Sequence, residues 1–471
     1  MRLFRLIAAP SAVVALVLAL AGAPAQAAET GVVINGPEGL SPQTVGEVSG
    51  LGVGWVRVFA AWNVFEPNRG QFNEPEIKTL EAGIAALPKD TKVIVDVVDT
   101  PEWETGSTNP TMPPRDPADY AHFLGEMVKR FGGRAAAWEI WNEEDASLWW
   151  ASGPNPAAYA ALLKAAYPAV KSIEPRATVV LGGLTGNDYE FLSQLYADGA
   201  KGYFNAVGVH TDSICETGSP YEILRNGRTD QRINRWSFLG YRTVHEVMLA
   251  HGDDSPIWMT ELGWSTDTQT CDSGAWAGQK PAGVTPAQQA TFLLQAYHCL
   301  AQDPYVQVGI WFGLQDTEPF GSPRSSYGLL EPDLAPKPAY GALAEYDRNG
   351  DRLSEECGNA QQGPAIKLLS PKPGARYSNT LPITVTASDS SSMVYQISLY
   401  HEGHIIRSFY VHGGTTTLSG HMVWYGARLL SPGKHTLTAK AYDERNNISS
   451  TSITVVRAGK PKKHKRHRHK R

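Results

Sequence analysis

Between Gly31 and Tyr346, short runs of apolar, β-branched residues alternate with longer stretches of helical periodicity. The apolar runs are GVVIN (31–35), WVRVF (55–59), KVIVDVV (92–98), AAWEIW (136–141), TVVLGG (178–183), AVGVH (206–210), PIWMTE (256–261) and VQVGIWFGL (306–314). Several are apolar throughout, the pattern of parallel strands covered on both faces. In ADYAHFLGEMVKRF (118–131), Tyr120, Phe123, Leu124, Met127, Val128 and Phe131 fall on one side of a helix. The stretches 156–173 and 286–301 each open with a proline in the first turn, where its missing N–H costs nothing. Eight strands, each followed by a helix, predict an α/β fold, a (β/α)8 barrel. A doubly wound open sheet is the alternative, but the first strand runs into NGPEGLSP rather than a glycine-rich phosphate turn.

Around residue 358 the texture changes. GNAQQG reads as a linker over 358–363. Beyond it helical periodicity gives way to short alternating runs: AIKLLS, PITVTAS, VYQISLYHEG, HIIRSFYVHG, TTTLSG, KHTLTAKAYD and SSTSITVV. Such strands at close spacing predict a small all-β sandwich over 364–457. The predicted organisation is a leader (1–27), a barrel (28–357), the linker, the sandwich and a tail (458–471).

The leader is MRLFRLIAAPSAVVALVLALAGAPAQA. It has a basic start, an apolar run and a small-residue cleavage pattern at Ala25-Gln26-Ala27, which predicts a secretory signal and a secreted, possibly surface-associated product. A retained membrane anchor is the rival, although Pro10 and Pro24 leave the apolar stretch short, and no other segment is long enough to span. The net charge of −5 hides a basic tail from Lys460 to Arg471 with eight Lys or Arg and no acid. That tail is either a solvated end or a contact for an anionic cell-envelope surface; nucleic acid is a poor partner for an exported chain. Export also makes disulfides plausible among Cys215, Cys271, Cys299 and Cys357, with three pairings open. Cys215 and Cys271 fall on neighbouring loops of the predicted barrel. Cys299 ends the seventh helix and Cys357 follows the eighth. Cys215–Cys271 and Cys299–Cys357 are therefore the expected pairs. No Cys-x-x-Cys or His-rich cluster in the body predicts a metal site.

Reactive residues of such a barrel gather at the C-terminal strand ends. Here the fourth strand ends in Trp141-Asn142-Glu143 and the seventh in Met259-Thr260-Glu261. The second holds Arg57 with Trp62 just beyond, the sixth ends in His210, and the eighth carries Trp311. Strands four and seven face each other across a barrel mouth. Two glutamates there suit glycoside hydrolysis, one protonated to assist the leaving oxygen and one ionised to attack the anomeric carbon, about 5–5.5 Å apart in a retaining pair. A solvated acid or helix cap is the bland reading of either glutamate alone.

On these residues the region 31–346 resembles the clan A glycoside hydrolases. GWVRVFAAWNVFEPNRGQF is similar to the second-strand region of families 5, 39 and 42. WEIWNEE and IWMTELGWS are similar to the acid/base and nucleophile segments, and VGVHTDS and GIWFGLQD to the sixth and eighth strands. The resemblance implies a retaining mechanism with Glu143 as acid/base and Glu261 as nucleophile, acting on a β-linked carbohydrate without metal or organic cofactor. Arg57 is expected beside Glu261, and Asn142 to donate to a sugar 2-hydroxyl. His210 is expected to bond to Glu261 or to a sugar. Among 13 tryptophans, Trp62, Trp103, Trp149, Trp150, Trp264, Trp276 and Trp311 fall after strand ends and are expected to stack on sugar rings, with core packing the competing reading; Trp55, Trp138 and Trp258 are expected in the core. One departure is Glu144, where many relatives have proline; it is expected to start a loop and point to water. The close of the chain, PGKHTLTAKAYDERNNISSTSITV, resembles bacterial immunoglobulin-like modules, implying a spacer or binding role. A non-catalytic carbohydrate-binding protein and a transglycosylase remain alternatives on the same scaffold.

Overall fold

The computed structural model describes residues 27–36, 39–211, 218–223, 226, 232–270, 282–317, 326–354, 357–358, 363–389, 393–443 and 448–459. The leader up to Gln26, the tail from Lys460, Cys215, Cys271 and Trp276 lie outside them. No helix among the described residues is long and apolar enough to cross a membrane.

Eight strands form a closed parallel barrel in sequence order: β1 (Glu29–Ile34), β2 (Trp55–Ala61), β3 (Lys92–Val98), β4 (Ala135–Ile140), β5 (Thr178–Thr185), β6 (Ala206–Thr211), β7 (Ile257–Leu262) and β8 (Val306–Trp311). β8 pairs with β1 and closes the ring. The eighth strand ends at Trp311 rather than at 314. The amides of Phe312 and Leu314 still donate to Leu262 and Val33, but the regular ladder has stopped.

Helix starts follow local chemistry. Asp116, Asn155 and Thr285 each cap a helix whose first residue is proline, and Thr285 forms a reciprocal box with Gln288. The strands then sort their side chains by period two. Val33, Trp55, Ile94, Ala137, Val180, Trp258 and Val308 fill the lumen, with Trp55 and Trp258 edge-on at 4.9 Å. The opposite face of each strand packs on the helices in one continuous core that includes Trp138.

Cys299 and Cys357 are bonded, across a separation of 58 residues, tying the helix Pro286–Gln302 to the segment after the last barrel helix. A loop of that length restricts the unfolded chain considerably. Replacing both cysteines by serine is expected to lower stability by about 2–4 kcal/mol in urea melts.

Beyond the barrel lie β9 (Ala365–Ser370), β10 (Arg376–Tyr377), β11 (Leu381–Ser388), β12 (Val394–His401), β13 (His404–Thr415), β14 (Thr417–Trp424), β15 (Gly433–Asp443) and β16 (Ile448–Arg457). They form a five-stranded sheet, β10-β16-β15-β12-β13, and a three-stranded sheet, β14-β11-β9. Ile383, Val385, Ile397, Leu399, Leu437, Ala439 and Val455 make the core of this sandwich. The run TTTLSG extends four residues further than its composition suggests, to Trp424, and the two-residue β10 carries no apolar alternation to announce it.

Candidate active site

Above the apolar plug of the lumen, the next inward positions are charged. Arg57 from β2 is fully buried. Its Nε donates to Glu139 Oε2 at 2.6 Å, one terminal nitrogen to Glu261 Oε1 at 2.6 Å, and the other to Asp96 Oδ2 at 2.7 Å and Asn142 Oδ1 at 2.9 Å. A single cation thus joins carboxylates from β3, β4 and β7. Burial pulls the basicity of the guanidinium down, but Glu139, Asp96 and Glu261 together outweigh it and raise it above its ordinary value. Three acids around one cation leave a surplus of negative charge. Burial pushes Asp96 well above the usual carboxylate range, against the pull of Arg57.

Glu143 lies just beyond β4, where the chain turns out of the barrel through positive φ at Trp141 (71°) and Glu143 (49°). Its Oε1 meets His210 Nδ1 at 3.0 Å, and the same nitrogen is 3.6 Å from Glu261 Oε2. His210 Nε2 shares a hydrogen bond with Thr260 Oγ1 at 3.2 Å. Facing ligand atoms of Glu143, His210 and Glu261 lie within 4.8 Å of one another. The structure therefore brings both glutamates to one point, on an imidazole that touches each. Gly183 makes room for this ring: a Cβ there would sit 1.8 Å from His210 Nε2.

Other expected residues go elsewhere. Trp62, Trp264 and Trp311 are buried against the helices, not in the mouth. Trp62 donates to Glu66, Trp264 to the carbonyl of Gly218 and Trp311 to that of Tyr327. The stacking expected of them is corrected by strand alternation. Ile310 points inward, so Trp311 points out and Phe312 turns in. Half-buried Phe312 and Phe59 pack on the lumen residues, and the Arg57 guanidinium carbon lies 4.7 Å from the centre of the Phe59 ring. Trp149 stays partly exposed, its carbonyl accepting from Trp141 Nε1. Trp150 is core. Trp236 was not singled out by sequence; it covers Gly186 with Arg235 4.8 Å from its ring centre.

Glu144 is a second correction. It is fully buried, and neither carboxylate oxygen meets a hydrogen-bond partner among the described residues. The missing side chain of Gly182 gives it space: a Cβ there would lie 2.3 Å from Glu144 Oε2. Burial holds its pKa well above the ordinary 4.5. Its neighbour Asp145 is likewise pushed up to about 7 by burial, although Thr185 N–H and Arg235 contact it. An acid protonated in the fold but not in the unfolded chain loses stability as pH rises above 4.5. Glu144→Gln is therefore expected to be more stable than the wild type by about 1–3 kcal/mol at pH 7, and close to it at pH 4, in urea melts.

The barrel and the sandwich can now be set beside known proteins. A family 39 glycoside hydrolase from Bacteroides cellulosilyticus is similar at 19% identity, with a TM-score of 0.53 over 84% of this chain and 80% of that one. A monomeric β-xylosidase from Caulobacter crescentus is similar at 16% identity, with a TM-score of 0.51 over 84% and 94%. A family 39 β-xylosidase from the same organism gives 18% identity and a TM-score of 0.50 over 82% and 84%. The chain is similar in fold to family 39 glycoside hydrolases. Residues 364–439 match the bacterial Ig domain family. No curated protein matches the sequence.

Proposed function

We propose that this protein is a retaining glycoside hydrolase acting on a β-linked oligosaccharide or polysaccharide. The observation that carries it is the meeting of Glu143 and Glu261 around His210 within 4.8 Å, a separation suited to direct attack rather than to an interposed water. Glu143, protonated, gives its proton to the departing glycosidic oxygen while Glu261 attacks the anomeric carbon. A glycosyl ester forms on Glu261 as the glycosidic bond breaks. Glu143, now a carboxylate, takes a proton from water, which attacks the same carbon and frees Glu261.

The neighbours fit these roles. Arg57 fixes one oxygen of Glu261. It also engages Asn142 Oδ1, which turns the amide NH2 toward the sugar. His210 holds Glu143 on the side facing Glu261. Among the described residues, half-buried Phe59, Phe312 and Trp149 offer aromatic surfaces to sugar rings. The leader and the Ig-like module support export, with barrel, linker, sandwich and basic tail as separate functional parts.

Assay of wild type and Glu261→Gln on a panel of β-linked polysaccharides and aryl glycosides, β-xylosides included, tests the reading. Turnover by the wild type alone supports it. Transfer products in place of free sugar would assign a transglycosylase, and binding without turnover across the panel would assign a carbohydrate-binding role.

A further inference from the structure

The Ig-like module carries a cluster of its own, far in function from the barrel. His401 closes β12, Glu402 and Gly403 form the turn into β13, and His435 lies near the start of β15. His401 Nε2 and His435 Nδ1 face each other at 3.1 Å. Glu402 Oε1 is 3.9 Å from His401 Nε2, and ligand atoms of all three residues lie within 4.8 Å of one another. Two nitrogens each about 2.0–2.1 Å from a zinc ion and separated in this way subtend an angle of about 100°, close to that of a tetrahedral site.

Two further features suit a metal. His435 Nε2 contacts the carbonyl of Ser431 at 2.8 Å, where only an N–H can bond. That contact fixes the tautomer and leaves the Nδ1 lone pair turned toward His401, the outer-sphere arrangement common to metal-bound histidines. Glu402 has a φ of 47°, uncommon for a side chain of that size, in a two-residue turn where asparagine, aspartate or glycine is usual. It is kept there by Thr436, whose N–H donates to Glu402 Oε1 at 2.9 Å and whose carbonyl accepts from the Glu402 N–H at 3.3 Å. The carboxylate is thus aimed across the strand pair at the two rings.

We propose that His401, Glu402 and His435 bind one divalent transition-metal ion of the imidazole-preferring class, Zn2+ in the first instance. The ion would tie the β12–β13 turn to β15. A fourth position stays open to water or to an outside ligand. The two histidines are 34 apart in sequence, so no ligand-spacing motif announces them.

Zn2+ titration of the full chain by calorimetry, with Co2+ absorption as a second readout, tests this. The tail histidines His464, His467 and His469 and the barrel's His210 are competing sites. The expected result is one site that survives both H464A/H467A/H469A and H210A. The same site should weaken at least 100-fold in His401→Ala and His435→Ala, and about 10-fold in Glu402→Gln. Tetrahedral Co2+ bands should vanish in the first two. Should His435→Ala unfold the module, His401→Ala and Glu402→Gln decide. Three results would overturn the proposal: no stoichiometric Zn2+ binding by the wild type, loss of the site only in the tail variant, or unchanged binding in His401→Ala. Any of these would leave the two rings as a hydrogen-bonded pair.

Discussion

Glu261→Gln is expected to lower kcat by about 10⁴-fold or more on whichever β-glycoside the wild type turns over best. The amide is isosteric and can still sit beside Arg57, so binding should change far less than turnover. What disappears is the ionised oxygen that attacks the anomeric carbon. Glu143→Gln should behave differently, because it removes a proton donor rather than a nucleophile. On a substrate with a poor leaving group the loss should be about 10²–10⁴-fold. On a dinitrophenyl glycoside, whose leaving group departs without a proton, bond cleavage should be nearly unaffected and the glycosyl-enzyme should accumulate as a burst. Azide, which needs no general base, should then restore turnover in Glu143→Ala and yield a glycosyl azide of retained configuration. In Glu261→Ala it should yield the inverted one. Equal losses by Glu143→Gln on both classes of leaving group would remove it from the acid/base role. The geometry behind the asymmetry is that Glu261 is held by Arg57 at 2.6 Å, whereas Glu143 is held by His210 at 3.0 Å and keeps more exposure.

The eight barrel strands are legible because parallel strands buried on both faces must be apolar along most of their length. Glu143 and Glu261 are legible because they stand where two such runs stop. Asp96 and Glu139 were missed, yet each is a charge inside an otherwise apolar run, KVIVDVV and AAWEIW, as Arg57 is in WVRVF. A charge at an interior strand position requires a buried partner, and three such charges in three consecutive strands announce one another. The tryptophans mislead for a local reason. Trp311 follows inward-facing Ile310, and counting by twos from that residue sends the indole outward. Glu144 could not be placed from its neighbours in sequence. Its burial depends on Gly182 on the adjacent strand, and a missing Cβ carries no sign of what fills the space. The His401–His435 pair depends on strand pairing in the same way.

Arg57→Met is expected to destabilise the barrel by about 3–5 kcal/mol, as removal of one partner from a buried ion cluster does. Methionine replaces the aliphatic stem but not the guanidinium fork beyond it, so some packing is lost as well. The main cost lies in Asp96, Glu139 and Glu261, which keep their buried positions but lose the cation that four hydrogen bonds tie to them and to Asn142. One oxygen each of Asp96 and Glu139 already has no partner among the described residues, so little remains to absorb the charge. Arg57→Lys should fall between. An ammonium keeps the charge, but one nitrogen cannot reach acceptors arranged around a planar fork. The sign of the pH effect separates this account from a simple loss of contacts. The pKa of Asp96, raised by burial even beside Arg57, is raised further without it, so the fold takes up protons relative to the unfolded chain, and stability falls as pH rises. The deficit of Arg57→Met should therefore grow between pH 5 and pH 7.5 in urea melts. Adding Asp96→Asn and Glu139→Gln to the variant should recover part of it and flatten the pH dependence. A deficit that stayed below 1 kcal/mol, or that shrank with rising pH, would mean that solvent reaches these acids and that no buried charge cluster supports the floor of the mouth.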